Sequence, residues 1–131
     1  KNFRIDVIDI WEPGYLGSTI KDPYYEFLKN IHYLYVSDII HPIKLPSKKA
    51  ASLYEDKSVD VVIVDGSHEY ENVLEDLKLW TSKAKIFIAG DDYDWHGVKK
   101  AVDEFFGDEI TMLDKEKRLW LHMNDSKYIL S

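Results

Sequence analysis

The chain of 131 residues has no cysteine, which excludes a disulfide framework and thiolate metal sites and points to a reducing, cytoplasmic setting. Positive charge is also short. Lys and Arg number 17 against 24 Asp and Glu, a formal charge of −7, so general affinity for nucleic-acid phosphates or for a membrane surface is not expected. No apolar run approaches the roughly twenty residues that a membrane-spanning helix requires. The opening Lys1-Asn2-Phe3-Arg4 leads directly into a strand pattern, so no signal peptide is expected. A glycine-rich dinucleotide turn is missing too, because Gly14-Tyr15-Leu16-Gly17 does not follow a strand closely enough to serve as one. What remains has the length of a single domain with a sizeable core and no internal repeat.

Residues 3–10 (FRIDVIDI) predict a mostly buried parallel strand. A loop follows over 12–22, and Asp22-Pro23 marks a helix start, with Asn30 as its stop. Residues 31–36 (IHYLYV) read as a second strand closed by Ser37-Asp38, and 39–46, with Pro42 and Pro46, as a loop. Ser47 is expected to cap a short helix through Asp56. Residues 59–64 (VDVVIV) read as a third strand, central and covered on both faces. Val73, Leu74, Leu77 and Trp80 give 70–82 the spacing of an amphipathic helix. Residues 85–89 form a fourth strand, with Gly90 giving the backbone room to turn, and a helix over 95–106 is stopped by Gly107. The short gap between 110–113 and 119–123 forces an antiparallel hairpin.

This order predicts an α/β fold: a Rossmann-like three-layer sandwich with a mostly parallel sheet and a C-terminal antiparallel hairpin. Right-handed crossovers place every strand-to-helix loop on one edge. Asp9, Asp38, Asp65 and Asp91 are therefore expected to line that edge, where ligands bind in open α/β sheets.

Asp65, Asp91 and Asp92 offer hard oxygen ligands for magnesium or calcium, and His68 leaves manganese, iron or zinc open. The competing reading is that Asp65 and Asp91 cap the helices that follow them. His68, three residues after Asp65, suits a general base, or else is a surface histidine in the first turn of a helix. His96 lies near enough to Asp92 to be a second candidate, while His32 and His122 are read as strand residues. Asp9 stands where an acid commonly holds ribose hydroxyls, or is a loop acid. Trp11 and Tyr15 either cover a flat ligand or close the core edge.

Together, Asp9-Ile10-Trp11, YEFLKNI over 25–31, VDVVIVDGSHEY over 59–70, residues 76–80, Ala89-Gly90-Asp91-Asp92-Tyr93, Val98 and Ala101-Val102 resemble class I S-adenosylmethionine-dependent methyltransferases. The likeness is to the small-molecule family that includes macrocin-type sugar O-methyltransferases, and it covers about residues 3–106. It implies Asp9 at the cofactor ribose and Ser37-Asp38 near the adenine. It also implies magnesium at Asp65, Asp91 and Asp92, and His68 as the base. Family members begin with one more strand and an acidic, glycine-rich turn, and that strand lies between those at Phe3 and Val59. The sequence is accordingly expected to be the C-terminal part of a longer domain, or to have the gap filled by a neighbouring chain or a rearranged strand.

The function expected from these readings is magnesium-assisted O-methyl transfer to a small hydroxylated acceptor such as a sugar. The alternatives are a non-catalytic binding or assembly domain and a metal-dependent hydrolase using the same acids. The expected partner is the small-molecule acceptor, and a homo-oligomer is compatible with the sequence.

Overall fold

The computed structural model describes residues 3–128. The chain divides into two compact units, Lys1–Ala50 and Ala51–Ser131.

In the first unit, strand β1 (Ile5–Asp9) leads through a loop to helix α1 (Pro23–Tyr33), strand β2 (Ile40–Lys44) and a single turn of helix, α2 (Ser47–Ala50). Asp22 caps α1 as expected, its Oδ1 accepting from Tyr25 N at 3.0 Å, with Pro23 in the first turn. The helix does not stop at Asn30. Tyr24, Phe27, Leu28 and Ile31 continue the three-and-four spacing, and Ile31 is buried within the helix. Residues 31–33 are therefore helical, and the strand expected over 31–36 does not form.

The stop is a Schellman motif. Tyr35 adopts φ +57, Val36 N donates to Ile31 O at 3.0 Å, and Tyr35 N donates to His32 O at 3.1 Å. The second strand lies instead at β2, in the stretch read as a loop because of Pro42. β1 and β2 run parallel, with Ile5 opposite Ile40 and Val7 opposite Pro42. Ile5 N donates to Ile39 O at 2.9 Å. By alternation, odd-numbered residues of β2 face β1, so Pro42 has its missing N–H on the other side of the strand.

In the second unit, residues 51–53 form a 3-10 turn rather than a helix continuing to Asp56. β3 (Val59–Val64), α3 (Tyr70–Trp80), β4 (Ala84–Gly90), α4 (His96–Phe106), β5 (Thr111–Met112) and β6 (Trp120–Met123) follow. The sheet order is β3-β4-β6-β5. β3 and β4 are parallel, and the β5–β6 hairpin is antiparallel, with β6 against β4. Val73, Leu77 and Trp80 of α3 are buried together with Val98, Ala101, Val102 and Phe106 of α4, and the two helices pack on each other. Ile88 and Trp120 complete this core.

β3 departs from its expected central place. Among the described residues it pairs only with β4, and Ile63 is 63% exposed while Val62 is buried. One face of an apolar run thus stays open, which a continuous run of Val and Ile does not reveal. Among the described residues no helix is long and apolar enough to cross a membrane.

Candidate active site

Two loops build the site, one after β3 and one after β4. In the first, Ser67 Oγ accepts from Glu69 N at 3.1 Å and from Asn72 Nδ2 at 3.2 Å. Neither α3 nor α4 has a side-chain cap at its N-terminus, so Asp65 and Asp91 are not helix caps. The second loop turns sharply. Asp92 has φ +59, its N–H donates to Asp91 Oδ1 at 2.7 Å, and its carbonyl accepts from Trp95 N at 2.9 Å. Aspartate is among the side chains that tolerate this left-handed conformation.

These loops bring Asp65, Asp91 and Asp92 together, each offering an oxygen within 4.8 Å of the others. His68 Nε2 is 2.8 Å from Asp92 Oδ2. The imidazole also stacks on Trp95, with ring centroids 4.1 Å apart and planes at 18°. Burial raises the Asp65 carboxyl above its ordinary value, the charges of Asp91 and Asp92 add to this, and His68 opposes it. The donor set suits a hard divalent cation.

Gly97, at the second position of α4, lets the two loops meet: a Cβ there would lie 2.3 Å from His68 O. Gly90 has a similar role. It ends β4, and a Cβ on it would lie 2.6 Å from both Trp120 Cζ2 and Val64 O, so it makes space for an indole as well as for the chain to turn.

Arg118 adds a cation to this group. Its Nη2 is 3.2 Å from Asp92 Oδ1 and its Nε 3.5 Å from Asp94 Oδ1, while its carbonyl accepts from Tyr93 N at 3.0 Å. A single arginine in a polar hairpin turn gives no sequence signal for contacts made 26 residues away.

The remaining candidates each sit within their own unit. His96 is exposed at the start of α4, His32 is exposed in α1 rather than in a strand, and His122 lies in β6 with its Nδ1 2.7 Å from Glu109 O. In the first unit, Asp9 ends β1, and its Oδ1 accepts from Trp11 N at 2.9 Å. The Trp11 ring packs on α1, 4.9 Å from Tyr24 and 5.0 Å from Phe27, whereas Tyr15 is half exposed.

Ser37 and Asp38 do not follow a strand. They precede β2, at the end of the β1–β2 pair opposite to Asp9, because helix α1 takes the residues assigned to the second strand. Asp38 is therefore not at the carboxyl end of a strand, whereas Asp9 ends β1 and Asp65 and Asp91 directly follow β3 and β4, each within its own unit. The residues that do follow β2 are Leu45, Pro46 and Ser47.

Parallel strands with intervening helices and acids at the strand ends define a Rossmann-like α/β protein. A family profile described as a methyltransferase domain matches residues 1–93, and the chain belongs to that family. No curated protein matches it in sequence. Among solved structures, a Corynebacterium glutamicum protein superposes with a TM-score of 0.64 at 11% identity, over 90% of this chain and 59% of its own. The apo form of a TDP-rhamnose 3'-O-methyltransferase of calicheamicin biosynthesis superposes with a TM-score of 0.63 at 14% identity, over 93% of this chain. The chain spans 59% of the length of each of these two structures. At such identities the likeness establishes the fold.

Proposed function

We propose that the chain carries the acceptor site for methyl transfer from S-adenosylmethionine to a hydroxyl of a small hydroxylated molecule such as a sugar, with magnesium assistance. The observation that carries this reading is the His68–Asp92 hydrogen bond beside the carboxylates of Asp65 and Asp91. Family membership and the sugar-methylating activity of one fold neighbour support it.

S-adenosylmethionine supplies the methyl group, and a hard cation held by Asp65, Asp91 and Asp92 would acidify the acceptor hydroxyl. The chain's own part is to orient that hydroxyl and take its proton. An ionised Asp92 only accepts hydrogen bonds, so the proton it shares with His68 sits on Nε2 and Nδ1 is the basic nitrogen. Attack of the acceptor oxygen on the donor methyl would displace S-adenosylhomocysteine with cleavage of the carbon–sulfur bond, and His68 Nδ1 would take the hydroxyl proton. Asp9 at the end of β1, with Trp11 beside it, is the proposed ribose contact. Leu45 to Ser47 replace Ser37 and Asp38 as the proposed adenine contact, since they follow β2.

The test is formation of S-adenosylhomocysteine by the protein with a panel of methyl glycosides, with and without magnesium. Magnesium-dependent turnover is expected. No turnover, or hydrolysis of p-nitrophenyl phosphate without the methyl donor, overturns the reading.

A further inference from the structure

The cavity at the carboxyl ends of β3 and β4 has a volume of about 10 Å³, space for roughly one water-sized sphere. Asp65, Asp91 and Asp92 line it, with Val73, Val98 and Trp120. Trp120 is 1% exposed, and its Nε1–H is the one buried side-chain donor left without a partner among the described residues. Gly90 is the cross-strand neighbour of Trp120 in the β4–β6 ladder. A Cβ on Gly90 would meet Cζ2 at 2.6 Å and Cε2 at 2.7 Å, with Val64 O also at 2.6 Å. Nε1 is bonded to Cε2, which lies beside Gly90 at the end of β4, and the indole lines the same cavity as Asp65, Asp91 and Asp92.

A buried N–H without an acceptor is costly, and native proteins commonly resolve it with an ordered water. None of the three carboxylates accepts from this indole. A bare cation cannot accept from it either, since both carry positive charge towards the contact. Water can, because its oxygen takes the indole proton while its two hydrogens point to carboxylates.

We propose that Trp120 is a positioning residue of the acid site. Its indole N–H holds a water against the carboxylates of Asp65 and Asp91, and a bound divalent cation takes that same water as a ligand. The second half of this rests on the cation assignment of the proposed function.

The test uses the protein with ¹⁵N-labelled indoles. Four signals are expected from its 4 tryptophans, and Trp120→Phe assigns the one in question. Titration with magnesium chloride is expected to move the Trp120 signal with the midpoint that calorimetry gives for magnesium binding. Trp120→Phe is expected to weaken that binding about tenfold, the loss of one buried hydrogen bond. Replacement of Trp120 by benzothienylalanine, which keeps the ring shape without the N–H, is expected to reproduce the weakening with the fold intact.

A Trp120 signal that stays fixed while magnesium binds overturns the inference, as does unchanged affinity in the benzothienylalanine protein. No magnesium binding at all overturns it together with the cation assignment. A moving signal without methyl transfer to any acceptor supports the inference and counts against the proposed function alone.

Discussion

His68 Nε2 and Asp92 Oδ2 lie 2.8 Å apart, and through this hydrogen bond the loop after β3 is fastened to the loop after β4. The carboxylate fixes which nitrogen carries the proton, and the Trp95 ring 4.1 Å away fixes the plane of the imidazole. Replacing His68 by Gln keeps a polar side chain of similar reach but removes the base. Turnover is expected to fall about 100- to 10,000-fold, the usual worth of a positioned general base. The KM for acceptor and the far-ultraviolet circular dichroism should stay near those of the parent. Steady-state kinetics check this, and a His68→Gln protein of full activity removes His68 from the mechanism.

Gly97 is the packing counterpart of that bond. Its missing side chain leaves space for the His68 carbonyl, which a Cβ would approach to 2.3 Å, and Tyr70 N lies at 3.1 Å on the same side. Both obstacles are backbone, so neither can rotate aside. Gly97→Ala is expected to cost about 1–3 kcal/mol of stability through overpacking, despite the higher helix propensity of alanine. It should also lower activity by moving His68. Urea unfolding measures the first effect, and a parental midpoint contradicts the account.

Asp65 gives a pH signature with a defined sign. Its carboxyl is raised above the unfolded value of 3.8, by partial desolvation first and then by the charges of Asp91 and Asp92, and because Asp65 is exposed, solvent screening keeps the effect on stability small. The folded protein therefore binds this proton more tightly than the unfolded chain does. The contribution of Asp65 to stability falls as pH rises from the unfolded to the folded value. Asp65→Asn should consequently be more stable than the parent at pH 7, with the advantage gone near pH 3, where both states are protonated. Unfolding free energies across that range decide the matter, and a parent more stable than Asp65→Asn at pH 7 refutes it.

The sequence reveals those parts of the molecule whose signals are local. The apolar spacing of α3 and α4, the Asp22-Pro23 start of α1 and the tight β5–β6 hairpin depend on neighbours a few residues away. Asp65 and Asp91 are legible for the same reason, because each directly follows an apolar strand, and Asp92 is the next residue. The misreadings occur where β-branched and aromatic residues sit in a helix, as with Ile31 and Tyr33, and where a proline sits in a strand, as with Pro42. Ile31 is helical because its burial completes the face formed by Tyr24, Phe27 and Leu28, which outweighs its strand propensity. The error in one strand displaced a site assignment, moving the expected adenine contact to Ser37 and Asp38. Arg118 and Trp120 act through contacts with residues far away in sequence, and only the folded chain brings those together.

Arg118 supplies the last expectation. Asp114 braces its turn, with Oδ1 accepting from the N–H groups of Arg118 at 2.9 Å and Leu119 at 2.8 Å. The guanidinium is thereby held at the Oδ1 of Asp92, while Oδ2 serves His68. In this position it offsets part of the repulsion among three neighbouring carboxylates, and it competes for the same oxygen with any divalent cation. Arg118→Gln removes the competing charge and keeps a donor. Since Arg118 is about half exposed, with 48% of its side-chain surface accessible, solvent screening keeps the effect modest. Magnesium affinity is expected to rise about two- to fivefold, and the gain should shrink as sodium chloride is added. Without cation, the same variant should be slightly less stable than the parent, because the acids lose their positive neighbour. Calorimetry at two salt concentrations tests the sign. A weaker affinity in Arg118→Gln would instead make Arg118 a support for cation binding, holding Asp92 in place.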